Sequence, residues 1–490
     1  MLRKIRLTLA ILFFGLITLL FLDFTGTIHS WFGWMAKIQF LPAVLALNVA
    51  VIVFLVALTL IFGRVYCSVI CPLGVLQDLF GWMGKKQKKN RYSYSPAKNW
   101  LRYGVLVLFI AALVAGVGSF VALLAPYSSF GRIASNLLAP LYGWGNNLLA
   151  YFAERMDSYA FYETEVWLAS LPTFIIAAVT LVVLIVLAWR GGRTYCNTIC
   201  PVGTVLGVLS RFSWLAPVID TEKCNACGLC ARNCKASCID SKNHKIDYSR
   251  CVACMDCIEK CNKGAISYRP RTKKQAKAAP VVDESRRSVL TATAILASTS
   301  LLKAQDKKRD GGLAVIEDKV VPERKTRLVP PGALSIKNFE QHCTACQLCV
   351  SVCPNDVLRP STGLLTLMQP EMGYENGYCR PECTKCSDVC PAGAIKPITR
   401  EEKSSRQIGH AVWIKKNCIM HEDKVDCGKC QDACPTGAIQ IVVNESCPNK
   451  CKNVVVNTER CIGCGACEHL CPVRPLSAIY VEGHEVHREI

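Results

Sequence analysis

The sequence predicts a membrane protein in two kinds of piece: a domain of four transmembrane helices, then small α+β domains wrapped around cysteine-rich loops. Three observations carry that reading. Hydrophobic residues make up 51% of the 490 positions and concentrate in the first 190. Four apolar runs there, Leu7–Leu22, Phe40–Phe62, Gly104–Ala125 and Pro172–Trp189, hold no charged residue. Each is about long enough to cross a hydrocarbon core of roughly 30 Å. Finally, 24 of the 31 cysteines fall into six quartets, all beyond position 220.

Charge placement orients the helices. The net charge of +20 comes from basic residues gathered in Arg3–Arg6, in Lys85, Lys86, Lys88, Lys89, Arg91, Lys98 and Arg102, and in Arg190, Arg193 and Arg211. The connection from Pro126 to Leu171 holds only Arg132 and Arg155 against Glu154, Asp157, Glu163 and Glu165. Basic loops stay in the cytoplasm, so the N-terminus, the Gly63–Tyr103 loop and the chain after Trp189 belong there. Trp31, Trp34, Trp144 and Trp167 fall near the outer edges, where tryptophan anchors an interface. The basicity orients helices and does not signal nucleic acid.

The membrane part repeats itself. Gly63–Gly74 reads GRVYCSVICPLG and Gly192–Gly203 reads GRTYCNTICPVG, each after an apolar hairpin. Such duplication marks a unit used twice. Cys67/Cys71 and Cys196/Cys200 stand at i, i+4, so on a helix both thiols share a face, and Pro72 and Pro201 suit a helix ending there. Cysteines beside cations are the reactive kind. These four are the candidate catalytic residues, in a redox, metal or quinone-proximal role.

The six quartets are the candidate metal ligands. They comprise Cys224, Cys227, Cys230 and Cys234; Cys251, Cys254, Cys257 and Cys261; Cys343, Cys346, Cys349 and Cys353; Cys379, Cys383, Cys386 and Cys390; Cys418, Cys427, Cys430 and Cys434; and Cys461, Cys464, Cys467 and Cys471. The C-x2-C-x2-C-x3-C spacing suits a [4Fe–4S] cube: three thiolates on one loop hold one cluster while the fourth caps a neighbour. Six clusters in three pairs are expected, and the chain moves single electrons. Zinc ribbons instead separate two C-x2-C pairs by a long loop, and disulfides do not repeat at such short gaps. Covalent haem would need C-x-x-C-H, which is absent.

Residues 1–215 are expected to form the four-helix domain with its two C-x3-C-P motifs. Residues 216–270 are expected to form a cytoplasmic two-cluster ferredoxin domain, with Cys261 completing the first ring and Cys234 the second. Cys238 stands close enough to replace Cys234. A basic linker, 271–335, carries Arg286-Arg287 before the apolar run Val289–Leu302, the pattern of a twin-arginine export signal or a fifth membrane segment. Residues 336–490 hold four quartets in a ferredoxin-like domain expected in the periplasm. The tails PAGAI (Pro391 to Ile395), PTGAI (Pro435 to Ile439) and PLSAI (Pro475 to Ile479) follow three of them. Cys447 and Cys451 could close a small disulfide loop or stay idle.

With these motifs the first 270 positions resemble the NapH family: four membrane helices, two C-x3-C-P motifs (Cys67–Pro72, Cys196–Pro201) and a two-cluster ferredoxin. Residues from about 283 onward resemble the NapG/MauM ferredoxin group, with its Arg-Arg signal and four cluster motifs. The likeness covers nearly the whole chain, as a fusion of the two. It implies a multi-pass protein of the bacterial cytoplasmic membrane that oxidises menaquinol from the quinone pool. Electrons would then pass through six [4Fe–4S] clusters to a partner oxidoreductase, the protein electron acceptor. It also implies that Cys343–Cys353 share clusters with Cys461–Cys471, and Cys379–Cys390 with Cys418–Cys434. The competing reading is a membrane polyferredoxin for metal reduction or respiratory-enzyme assembly, similar to the CcoG/RdxA proteins.

Overall fold

Long apolar runs, with basic residues only near one end, give two helices of 21 residues each, Leu2–Leu22 and Leu171–Gly191. At 1.5 Å per residue each is roughly 31 Å long. Ile11, Leu12, Val179 and Val182 stand exposed on their outer faces, while Ile17, Leu20 and Leu184 are buried inward. The computed structural model describes residues 2–23, 26–85, 92–157, 161–164, 166, 170–271, 317–443 and 452–490. Among these, the two helices alone are long and apolar enough to cross a membrane.

The sequence predicts four such helices, and the other two runs are broken. Phe40–Phe62 divides at Leu47, whose φ of 51° lies in the left-handed region. Asn48 then starts the 14-residue helix Val49–Phe62 by accepting a hydrogen bond from the Val51 amide at 3.3 Å. Gly104–Ala125 divides at Gly116 (φ 76°), between the 16-residue helix Asn99–Val114 and the short helix Gly118–Leu124. A left-handed residue cannot continue a right-handed helix. The connection after Pro126 is also more than an outer loop. Its helix Pro126–Ile133 is buried at every residue and continues through a π turn, Ala134–Leu138, into Ala139–Arg155.

The two repeat copies fold alike. Gly63 and Gly192 take positive φ (68° and 66°) and end the preceding helices. Short helices Val65–Val69 and Thr194–Thr198 follow, and then Pro72–Lys85 and Pro201–Ser210. The prolines therefore open the second helix of each copy, rather than merely closing the first. This suits a residue that lacks an N–H and whose φ is already helical.

The cysteine-rich parts contain only two-stranded sheets and helices of three to seven residues among the described residues. Leu215–Ile219 pairs antiparallel with Ile266–Pro270, and Ile239–Asp240 with Lys245–Ile246. Further along, Leu358–Pro360 pairs with Pro370–Met372, Ile439–Val443 with Lys452–Val456, and Arg406–Trp413 with Ile479–Glu489. The two cysteine-rich parts meet opposite ends of the Leu2–Leu22 helix. At its start, Arg3 pairs with Asp256 at 2.8 Å. At its end Phe21 stacks on Tyr127 (5.8 Å), and a Cβ at Gly131 would sit 2.9 Å from Phe21 and 2.3 Å from the Cys346 carbonyl. The Arg286-Arg287 segment, the apolar run Val289–Leu302, Lys86, Lys88, Lys89, Arg91, Glu165, Trp167, Cys447 and Cys451 lie outside the described residues.

Candidate metal centres

Each ring of thiols is built from one loop and one visitor. Cys343, Cys346 and Cys349 surround a cavity with Cys390, whose lining includes Phe339, Ala392, Ala394 and Ile395 together with Thr344 and Gln347. The loop curls because Ala345 and Gln347 take positive φ (52° and 64°). That curl turns the Ala345 amide toward the Cys343 sulfur at 3.4 Å, while the Ile395 amide donates to Cys390 at 3.4 Å. Cys379, Cys383 and Cys386 meet Cys353 around a second cavity. Lys403 braces that loop by donating to the Arg380 carbonyl at 2.6 Å.

Cys418, Cys427 and Cys430 form a third ring with Cys471. Despite its long first spacing, Cys418 takes the expected place. Cys461 and Cys464 lie within electrostatic range of Cys434, whose sulfur accepts from the Ala438 amide at 3.2 Å. The pairing implied by resemblance is therefore corrected. Quartet 343–353 interlocks with 379–390, and quartet 418–434 with 461–471. Neighbours along the chain can exchange their fourth cysteines across a short connection. A nested arrangement is equally open to the chain; the placing of Cys353 in the Cys379–Cys386 ring and of Cys471 in the Cys418–Cys430 ring decides the pairing.

In the earlier part, Cys230 neighbours Cys224, Cys227 and Cys261. Cys251, Cys254 and Cys257 ring a cavity with Cys234, and Cys238 also lines it. The Cys234 and Cys238 sulfurs stand 3.5 Å apart. Donation from Cys238 lowers the Cys234 thiol and raises Cys238 itself. Of the two, Cys234 is the readier thiolate and Cys238 its hydrogen-bond partner.

Among the described residues, no three His, Cys, Asp or Glu side chains converge on a point as a single ion requires. The thiols instead stand around cavities with largely apolar walls and amides aimed at sulfur. This donor set and spacing fit a [4Fe–4S] cube, which supplies one-electron redox chemistry when bound. Burial pushes Cys346 up to about 11 and Cys464 up to about 12. These thiols are neutral near pH 7 until metal displaces their protons.

The four C-x3-C-P cysteines also come together. Cys67, Cys71, Cys196 and Cys200 are each at most 4% exposed, and all six pairings are close enough for their charges to interact. Cys71 and Cys200 do not ride on the short helices: each occupies the bend before its proline. Sequence reasoning missed the buried polar frame around them. Arg193 donates to Asp78 (2.7 Å) and to the Cys67 carbonyl, and Asp78 also pairs with Lys235 (2.8 Å) and Arg6 (3.2 Å). Against the burial that would raise it, Arg193 and Lys235 hold the Asp78 carboxyl far below the usual carboxylate range. Asp78 stands just past the repeated twelve residues, so the internal repeat gives no signal for it.

Comparison with known proteins agrees on the chemistry. Models described as "4Fe-4S binding domain" match residues 44–90, 171–218 and 339–359, and a "4Fe-4S dicluster domain" matches 425–474. An uncharacterised protein of Methanocaldococcus jannaschii is 26% identical over 52% of this chain and 83% of its own length. The ferredoxin-type protein NapH of Escherichia coli is 28% identical over 40% of this chain. The methylamine utilization ferredoxin-type protein MauM of Methylobacillus flagellatus is 34% identical over 21% of it. These matches span 55% of NapH and 44% of MauM. No solved structure matches. The chain thus carries 4Fe-4S ferredoxin-type domains, and the named relatives it resembles are ferredoxin-type proteins.

Proposed function

We propose that this chain oxidises quinol at the membrane boundary and relays the electrons, through its six ferredoxin-type [4Fe–4S] sites, to a partner oxidoreductase. Residues 1–215 would hold the membrane part, 216–270 a cytoplasmic ferredoxin unit and 336–490 a periplasmic one. One observation carries the quinol step. A cavity of about 480 Å³ opens at the end of the Leu171–Gly191 helix, between Leu101, Leu187 and Ile199 on one side and Ser237 and Arg250 on the other. Ser237 and Arg250 adjoin Cys238 and Cys251 in the chain, which sets the cavity near the Cys251–Cys257 loop. Ser95, Thr194 and Thr198 supply polar groups for a hydroxyl. Lys98, Arg190 and Arg250 also line it, so the cavity joins apolar wall to a polar and cationic rim where a quinol's oxygens would sit.

The test uses the full chain, purified anaerobically in detergent. A reduced short-chain naphthoquinol should bleach the visible cluster absorption and produce reduced-cluster EPR signals. Leu187→Trp, which fills the cavity, should slow that bleaching at least tenfold and leave reduction by dithionite unchanged. Reduction of cupric ion with no response to quinol would instead support the metal-reducing alternative.

A further inference from the structure

We propose that Cys67, Cys71, Cys196 and Cys200 together hold a seventh iron–sulfur cluster, shared between the two repeat copies and standing as the relay between the two ferredoxin parts. This deepens the electron-transfer reading by naming the centre through which charge would cross.

The first argument is geometric. The thiols are free and buried, and two come from each copy. Gly203 donates its amide to the Cys200 sulfur at 3.3 Å, and Gln77 donates its side-chain amide to Cys196 at 3.2 Å. Amide-to-sulfur bonds of this kind recur at the ferredoxin rings described above. The copies also brace each other. A Cβ at Gly74 would lie 2.2 Å from the Cys67 carbonyl and 2.8 Å from the Arg193 guanidinium. One at Gly203 would lie 2.3 Å from the Cys196 carbonyl and 2.9 Å from Arg64. Each glycine makes room for the other copy's arginine.

The second argument is charge. Arg64 is fully buried, and its partners are Asn197 (2.9 Å), the carbonyls of Ser249 and Cys196, and the Cys67 sulfur at 3.7 Å. None of these is a carboxylate. Arg193 has Asp78, but the position matching Asp78 in the second copy is Gly207. One Arg64 nitrogen and one Arg193 nitrogen have no partner among the described residues. A buried cation without a counter-charge is strongly unfavourable. A cluster bound by four thiolates carries net negative charge and supplies what Arg64 lacks. The ligand class has separate support: the matched segments 44–90 and 171–218 contain these four cysteines and no others.

The third argument is position. On one side the Arg193 amide donates to the Lys235 carbonyl at 2.8 Å and Asn197 to the Ala236 carbonyl at 3.2 Å, both beside Cys234. On the other side the Tyr195 hydroxyl donates to the Leu124 carbonyl at 3.1 Å. Arg132 lies within electrostatic range of both Tyr195 and Cys346. The step would be a single-electron hop: the cluster that Cys234, Cys251, Cys254 and Cys257 would hold gives up one electron, the cluster that Cys343, Cys346, Cys349 and Cys390 would hold ultimately takes it, and no bond forms or breaks.

The test is a metal count on the full chain, prepared anaerobically, and it needs no quinol. Seven cubes give about 28 iron and 28 acid-labile sulfide per chain, against about 24 for six. The variant with all four cysteines changed to Ser should lose about four of each and keep the remaining EPR signals. Arg64→Gln should retain the iron but lower one midpoint potential, because a buried cation favours the reduced cluster. If the quadruple variant fails to fold, the wild-type count and native mass still decide. About 24 iron in fully loaded wild-type protein, a disulfide among the four cysteines, or zinc or copper in their place would overturn the proposal. Failure of naphthoquinol to reduce a chain holding 28 iron would sink the quinol reading alone.

Discussion

Asp78 gathers three cations, Arg193, Lys235 and Arg6, in a site where its own side chain is 13% exposed. Removing one partner from a buried network leaves the other charges uncompensated, which typically costs about 3–5 kcal/mol. Asp78→Asn should therefore lower the unfolding free energy of the holoprotein by an amount in that range, read from the shift of its chemical-denaturation midpoint. Because the carboxyl is held below its ordinary value, its contribution is complete above the unfolded value near 4. It is lost only as pH falls below that value through the depressed folded one. Between pH 5 and 8 the Asn variant should thus show a constant deficit. A deficit that shrinks across that range would contradict the assignment. The same residues join the helical part to the first cysteine-rich part, since Lys235 also reaches Asp256 at 3.2 Å.

At the level of the element, the loop with three cysteines is the repeated device, and its fourth ligand is set by what the loop packs against. The positive φ at Ala345 and Gln347 recurs at Ala226, Gly228, Ala253 and Met255. The same short curl is therefore made with different side chains. The interlocking of 343–353 with 379–390 gives a direct expectation. Cys353→Ser and Cys379→Ser should each disturb one and the same cluster, and the double variant should lose about four iron rather than eight. Loss of two separate clusters, by iron count and EPR, would restore the pairing with 461–471. Helix breaks are a second matter of elements. Neither break was expected from the hydropathy of its run: Gly116 takes positive φ without strain, whereas leucine rarely adopts it, as Leu47 does here. There the Asn48 cap and the packing of Phe40–Leu45 against Val49–Phe62 override the hydropathy of the run.

Over the whole molecule, one helix of roughly 31 Å has the first ferredoxin part at its start and the second at its end. The proposed placement of residues 216–270 and 336–490 on opposite sides of a membrane gives a direct expectation. Alkaline phosphatase fused after Tyr480 should be active in intact cells, and a fluorescent protein that matures only in the cytoplasm should stay dark there. The same pair fused after Arg271 should give the reverse result. Equal outcomes at both sites would place the two ferredoxin parts on one face.

What the sequence determined by itself is whatever depends on near neighbours. Three thiols two residues apart must share a loop, so the chemistry of iron–sulfur ligation was legible in the spacing. The apolar runs and the basic loops were legible in the same way. Which fourth cysteine closes which ring was decided only by the tertiary structure, because that ligand arrives from another turn of chain. So was the meeting of Cys67 and Cys71 with Cys196 and Cys200, more than a hundred residues away. Packing of two repeat copies face to face creates that site, and buried arginines then give it a charge that no linear pattern announces.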